Sequence, residues 1–192
     1  QMLSIRVVKK LVKKKLMSHP DRYKHTLGVV KMAKILAKKY NVSKYNTTIA
    51  ALLHDYCKYD NYKQIEKKLS EEDCIECQKY RVLYHSYGAA NFYFQLGGKN
   101  LDIYNAIRNH VFGRLNMTRL EEIILISDYT EFNRTYKSCI ECREILLKGN
   151  LNLAIFESTK FVIDYLLKDN VTPHHLQYEI LNYYEGLCKK WI

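Results

Sequence analysis

Ala50-Ala51-Leu52-Leu53-His54-Asp55-Tyr56-Cys57-Lys58 is the stretch on which the fold of this chain turns. Ile49, Ala50, Leu52, Leu53 and Tyr56 recur at the spacing of one helical face, which predicts a helix over about residues 46–58. The apolar run ends at a histidine and an aspartate. Adjacent helical residues point roughly 100° apart, so His54 and Asp55 cannot stack on one face. At a helix end they can still approach a single ion from two sides.

The same periodicity extends in both directions. Segment 3–17 is amphipathic. Pro20 fits the first turn of a second helix, where its missing N–H would be unpaired anyway, and that helix runs to about Tyr40 with Asn41 as its stop. Downstream, shorter helices are expected over 61–69, 72–81, 84–96 and 101–110, with Gly97-Gly98 as a break. Thr118 followed by Glu121 is a capping-box pattern opening a helix from Leu120 to about Tyr129. Segments 137–148 and 151–168 follow, split by Gly149-Asn150. Thr172-Pro173 reads as the N-cap and first-turn proline of the last helix. No stretch alternates at period two, and no repeat or domain boundary stands out. The expectation is an all-α fold, one compact helical bundle spanning 1–192.

Polar residues fall on the buried faces of these helices. His25 is in phase with Val29, Met32 and Leu36; His85 with Ala89, Phe92 and Tyr93; His110 with Ile103, Ala106 and Ile107. Asp128 lies four and eight residues beyond Ile124 and Leu120. A single buried histidine is most simply a hydrogen-bonded core residue. Four of them with two aspartates share another explanation, because unpaired buried imidazoles and carboxylates are costly and a common metal ion satisfies them together. Imidazole with carboxylate oxygen suits iron, manganese, zinc or cobalt, and oxygen donors also admit magnesium.

Composition narrows the partners. The chain has 192 residues, 47% of them hydrophobic, and only two prolines, as expected of a globular domain. Its 31 Lys+Arg outweigh 20 Asp+Glu for a net charge of +11, which favours anionic partners. Much of the excess lies in Lys9–Lys15 and Lys31–Lys39, whose plain reading is a solvated helix face. No apolar run approaches the ~20 residues that span a bilayer, and the N-terminal segment lacks the layout of a signal peptide. With six cysteines, that points to reduced thiols in the cytoplasm. Cys74-Ile75-Glu76-Cys77 is repeated as Cys139-Ile140-Glu141-Cys142. Each pair reads as two positions on one helix face, and the pairs are too far apart for a zinc ribbon, whose intervening run is ~15–20 residues.

Around His54-Asp55 the chain resembles the HD superfamily, in which a His, a His-Asp pair and a distal Asp hold a divalent metal that hydrolyses phosphate esters or anhydrides. Further stretches are similar to one bacterial branch: Arg22 to Val29, His85-Ser86-Tyr87-Gly88-Ala89, Ala106 to Gly113, and Asn116-Met117-Thr118 running on to Ser127-Asp128-Tyr129-Thr130-Glu131-Phe132-Asn133-Arg134. This branch is the YqeK-type symmetrical bis(5′-nucleosyl)-tetraphosphatases, which split diadenosine tetraphosphate into two ADP. Departures are mild: Cys57 stands where a small residue is expected, Val111 for Thr, Ser127 for Ala and Phe132 for Pro. None removes a ligand.

The resemblance implies an HD-type helical bundle with its motif core over about 18–135 and C-terminal helices over 137–190. It implies His25, His54, Asp55 and Asp128 as metal ligands, with His54, Asp55 and Asp128 catalytic, and iron as the leading metal. His85 and His110 either complete a second metal site or contact phosphate. Arg22, three residues before His25 on the same helical side, and Arg134 are candidate phosphate clamps, since guanidinium grips phosphate bidentately. Thr172 opens a helix whose N–H groups are a further candidate. The substrate would be a dinucleoside polyphosphate and the product ADP; a homodimer is compatible with the sequence. Two rivals stand beside this reading. One is an HD phosphohydrolase of a nucleoside monophosphate or guanosine alarmone. The other is a basic helical module binding nucleic acid or protein, which accounts for the charge but not for the inward acids and histidines, and no helix-turn-helix signature supports it.

Overall fold

A computed structural model describes residues 2–190 of the chain. Among them are eleven helices and no strand. Most begin where the sequence supplies a side-chain acceptor: Ser4, Ser43, Asn61, Ser70, Asn100, Thr118 and Asn150 each accept from a backbone N–H of the first helical turn.

Four helices enclose the centre of the molecule. They are α2 (Pro20–Lys39), α3 (Lys44–Leu53), α7 (Leu101–Arg108) and α8 (Arg119–Thr130). Helix α2 packs on α3 and α8, while α7 lies against α3 and α8. Met32, Leu36, Ile49, Leu52, Leu53, Ile103, Ile107, Leu120, Ile123 and Ile124 are its innermost side chains. Burying each stabilises the fold by roughly 1.5–3 kcal/mol relative to exposure. Helix α1 (Ile5–Lys15) covers α3 with Val8 and Val12, and α6 (Leu83–Gln95) flanks α7. The short α4 (Tyr62–Glu66) and α5 (Glu71–Lys79) rest on α6. Helices α9 (Lys137–Leu147) and α11 (His175–Lys189) pack on α10 (Leu151–Lys168), which joins the rest through α8. One apolar cluster runs from Val8 to Tyr184.

Two helix ends differ from the sequence-based expectation. The third helix stops at Leu53, not near 58. Beyond it the chain tightens into successive three-residue turns, with Tyr56 N–H donating to Leu53 O, Lys58 to Asp55 O and Asp60 to Cys57 O. The last helix does not open at Thr172-Pro173. His174 is its N-cap: its imidazole accepts from Leu176 N–H at 3.1 Å, and its own N–H donates to Gln177 Oε1 at 2.9 Å. Pro173 thus lies outside the helix and Thr172 is exposed. Asn41, at φ 53°, ends α2 as expected. Among the described residues, no helix is long and apolar enough to cross a membrane.

Candidate metal centre

The ends of the central helices converge. His25 is in the second turn of α2, Asp128 near the end of α8 and His85 in the first turn of α6. His54 is the residue just past α3, where its N–H still donates to Ala50 O. His110 follows α7 by two residues. All five of these side chains and Asp55 meet, although they come from segments up to 103 residues apart.

They form two overlapping nests. In the first, one ligating atom from each of His25, His54, Asp55 and Asp128 lies within 4.8 Å of the others. His25 Nε2 is 2.9 Å from Asp128 Oδ1 and 3.7 Å from Asp55 Oδ2. His54 Nε2 is 3.3 Å from Asp55 Oδ2 and 3.6 Å from Asp128 Oδ1. In the second nest, Asp55 Oδ1 faces His85 Nε2 at 3.2 Å and His110 Nε2 at 3.6 Å, and the two imidazole nitrogens are 3.2 Å apart. Asp55 belongs to both, with one oxygen turned to each.

The outward ring nitrogens fix the inward ones. His54 Nδ1 lies 2.7 Å from Ala51 O, and His110 Nδ1 lies 2.7 Å from Ile107 O. A carbonyl only accepts, so both Nδ1 atoms carry a proton and both Nε2 atoms face the centre. These carbonyls are free because they belong to the last turns of α3 and α7, where no further helical N–H reaches them. His25 Nδ1 is paired instead with Glu131 Oε1, at 3.0 Å.

Electrostatics point to a cation. Burial disfavours charge on His54, but the carboxylates of Asp55 and Asp128 override it and raise its pKa to about 10. Burial likewise opposes charge on Asp55 and Asp128. The facing imidazoles, His54 chief among those around Asp55 and His25 first at Asp128, nonetheless hold both carboxyls well below the usual range. At His85 burial wins, with His110 assisting against the pull of Asp55, and lowers the pKa to about 4, so this imidazole is neutral at pH 7. His54 Nε2 is completely buried and makes no hydrogen bond with either nearby carboxylate. Such an orphaned atom costs roughly 1–3 kcal/mol, and a shared ion removes that cost. The donor set of imidazole nitrogens and carboxylate oxygens therefore fits a divalent metal.

Three cavities that share lining residues form a groove beside the centre. The middle one, about 310 Å³, is lined by Arg22, Asp55, Lys58, His85, His110 and Arg134. One arm, about 320 Å³, is polar, with Arg22, Lys24, Tyr59, Asn133 and Arg134. The other, about 170 Å³, passes His110 and Asp128 to reach Phe112, Leu125, Val162 and Gln177. Arg22 Nη1 donates to Asp55 Oδ2 at 2.9 Å, and Arg134 Nη2 lies 3.6 Å from Asp128 Oδ1. Both clamps expected from the sequence thus stand beside the nests. Thr172 lines none of the three cavities. Lys58 and Tyr59 were not singled out by spacing; both sit in the turns after α3, where helical phase carries no information. The cysteine pairs lie on α5 and α9, and among the described residues no cysteine joins a ligand cluster.

Comparison with known proteins accords with this geometry. The sequence model of the HD domain matches residues 22–133. A symmetrical bis(5′-nucleosyl)-tetraphosphatase of Halalkalibacterium halodurans is 37% identical over 83% of this chain and 86% of its own. Its counterpart from Staphylococcus aureus is 30% identical over 95% of both. The crystal structure of an HD superfamily hydrolase involved in NAD metabolism, from Clostridium acetobutylicum, superimposes with a TM-score of 0.85 at 30% identity, covering 97% of this chain and 99% of that one. Matching in sequence across the nests and in fold from end to end, this chain belongs to the HD-domain family and, within it, to that of the symmetrical bis(5′-nucleosyl)-tetraphosphatases.

Proposed function

We propose that this protein hydrolyses diadenosine tetraphosphate symmetrically, releasing two ADP, at a divalent metal held by His25, His54, Asp55 and Asp128. The observation that carries the reading is the first nest itself: four ligand atoms within 4.8 Å, one of them a buried imidazole nitrogen without a partner, beside a cavity that Arg22, Lys58 and Arg134 also line. The curated relatives named above carry the same activity in their names.

A bound divalent ion supplies a Lewis acid for a phosphoryl oxygen and acidifies water. The chain does the rest. Arg22 and Arg134, which reach the nests, and Lys58, which lines the middle cavity, bind and orient the phosphates along the groove. His85 and His110 face the second oxygen of Asp55 and either complete a second ion site or contact the phosphate. The two arms receive the two nucleoside ends. Among metals, iron leads by family resemblance, with manganese, zinc, cobalt and magnesium behind it. Six unpaired thiols suit a reducing cytoplasm.

The test is product analysis by anion-exchange chromatography after incubation of metal-replete protein with diadenosine tetraphosphate. ADP alone, at two per substrate consumed, is expected. ATP with AMP, or no turnover by protein that retains its metal, overturns the reading.

A further inference from the structure

Glu131 is buried, 1% exposed, immediately after α8, and three nitrogens converge on its carboxylate. Oε1 faces His25 Nδ1 at 3.0 Å. Oε2 accepts from the backbone N–H of Asn133 at 2.6 Å and from its Nδ2 at 3.0 Å. The loop that carries these groups is itself pinned. Arg143 donates to the carbonyls of Thr130, Glu131 and Arg134 at 2.6–2.7 Å. Across the interface stands Gly28, inside α2, where any Cβ would overlap the Glu131 carboxylate and crowd Asn133 Nδ2. Glycine in a helix interior costs about 1 kcal/mol against alanine. Here it is the only residue that leaves room for the carboxylate.

His54 and His110 take their tautomer from helix-end carbonyls, but His25 lies within α2, where every nearby carbonyl is occupied by the helix. It needs an acceptor from elsewhere, and Glu131 supplies one. We propose that Glu131 is a positioning residue: it holds the proton of His25 on Nδ1, so that Nε2 presents its lone pair to the metal, and Gly28 exists in α2 to admit it. This rests on the reading of His25 as a ligand. The arrangement is a carboxylate–histidine–metal relay, in which the outer group sets ring orientation and basicity.

Glu131→Gln makes the argument sharp. An amide offers one acceptor oxygen to three donors. It either abandons Asn133 or turns its NH₂ toward His25. In the second case Nδ1 becomes the acceptor and the proton moves to Nε2, which then cannot bind a metal. Gly28→Ala reaches the same defect from the other side, by displacing the carboxylate.

The experiment measures zinc retention against a graded chelator for the full-length wild type, Glu131→Gln, Gly28→Ala and, as reference, His25→Ala, with circular dichroism and thermal unfolding in parallel. Both Glu131→Gln and Gly28→Ala are expected to weaken zinc binding about 10–100-fold with helicity preserved. If His25→Ala weakens binding and folded Glu131→Gln does not, Glu131 is merely structural and the inference fails. If His25→Ala itself retains zinc like the wild type, the metal assignment fails instead. Imidazole nitrogen NMR of the zinc-loaded wild type is independent of any variant's folding. A protonated Nδ1 on His25 supports the inference, and a protonated Nε2 or zinc on Nδ1 overturns it.

Discussion

His54 and Asp55 are neighbours in the chain with different duties in the centre. The imidazole points one nitrogen inward from a helix end, whereas the carboxylate divides its two oxygens between the nests. Removing either leaves buried charge without its partner. His54→Ala and Asp55→Ala are therefore expected to lose bound metal and to reduce hydrolysis to background, checked by elemental analysis beside the product assay; full activity in metal-free variant protein would refute the assignment. Ser127, beside Asp128, tests the opposite case. Its hydroxyl is fully buried and has no hydrogen-bond partner, at a position where the family resemblance leads one to expect alanine. Ser127→Ala should raise stability by up to about 1 kcal/mol in chemical unfolding, since a stranded polar group is removed at almost constant volume. A loss of more than that would mean the hydroxyl is used. Helical phase made the inward residues legible in the sequence, because His25, His85 and Asp128 share faces with apolar neighbours. It could not say which ring nitrogen faces the centre, or that Glu131 lies against His25. Those facts depend on contacts such as that between positions 25 and 131, which no local spacing encodes.

At the scale of elements, helix starts were more legible than helix stops. Ser, Thr and Asn caps announce themselves by type, so the openings of α3, α8 and α10 fall close to expectation. The stop of α3 has no glycine and no proline. Its apolar pattern continues to Tyr56, yet the helix ends at Leu53, just before His54 and Asp55 turn to the centre. The start of α11 misled in the other direction, because Thr172-Pro173 imitates a cap while an imidazole performs the task. His174 also bonds Glu76 Oε1 at 3.0 Å and stacks on Phe112 with ring centroids 4.5 Å apart, tying α11 to α5 and to the wall of the smaller arm. His174→Ala should cost about 1–3 kcal/mol in urea unfolding, and Thr172→Ala should stay within about 0.5 kcal/mol. Equal effects would return the cap to Thr172.

The whole molecule carries a net charge of +11, and the lysines of α1 and α2 that dominate the sequence lie mostly exposed, away from the chemistry. The basic side chains that line the groove are a small set, Arg22, Lys58 and Arg134 with Lys24 as the one α2 lysine among them. Raising salt from about 0.05 to about 0.5 M should therefore raise KM several-fold for the tetraphosphate and change kcat little. A kcat that falls in proportion would place the effect in the chemical step. The groove itself was not legible, since its walls are drawn from helix ends and turns scattered from residue 21 to residue 177. Its two arms are unequal, one broad and polar, the other narrow with Phe112, Leu125 and Val162. A palindromic substrate cannot reveal that inequality, but a mixed one can. With adenosine at one end and guanosine at the other, the dinucleotide should settle mainly one way round. Oxygen from isotopically labelled water would then mark one of the two diphosphates in preference to the other, making visible a directionality that identical products conceal.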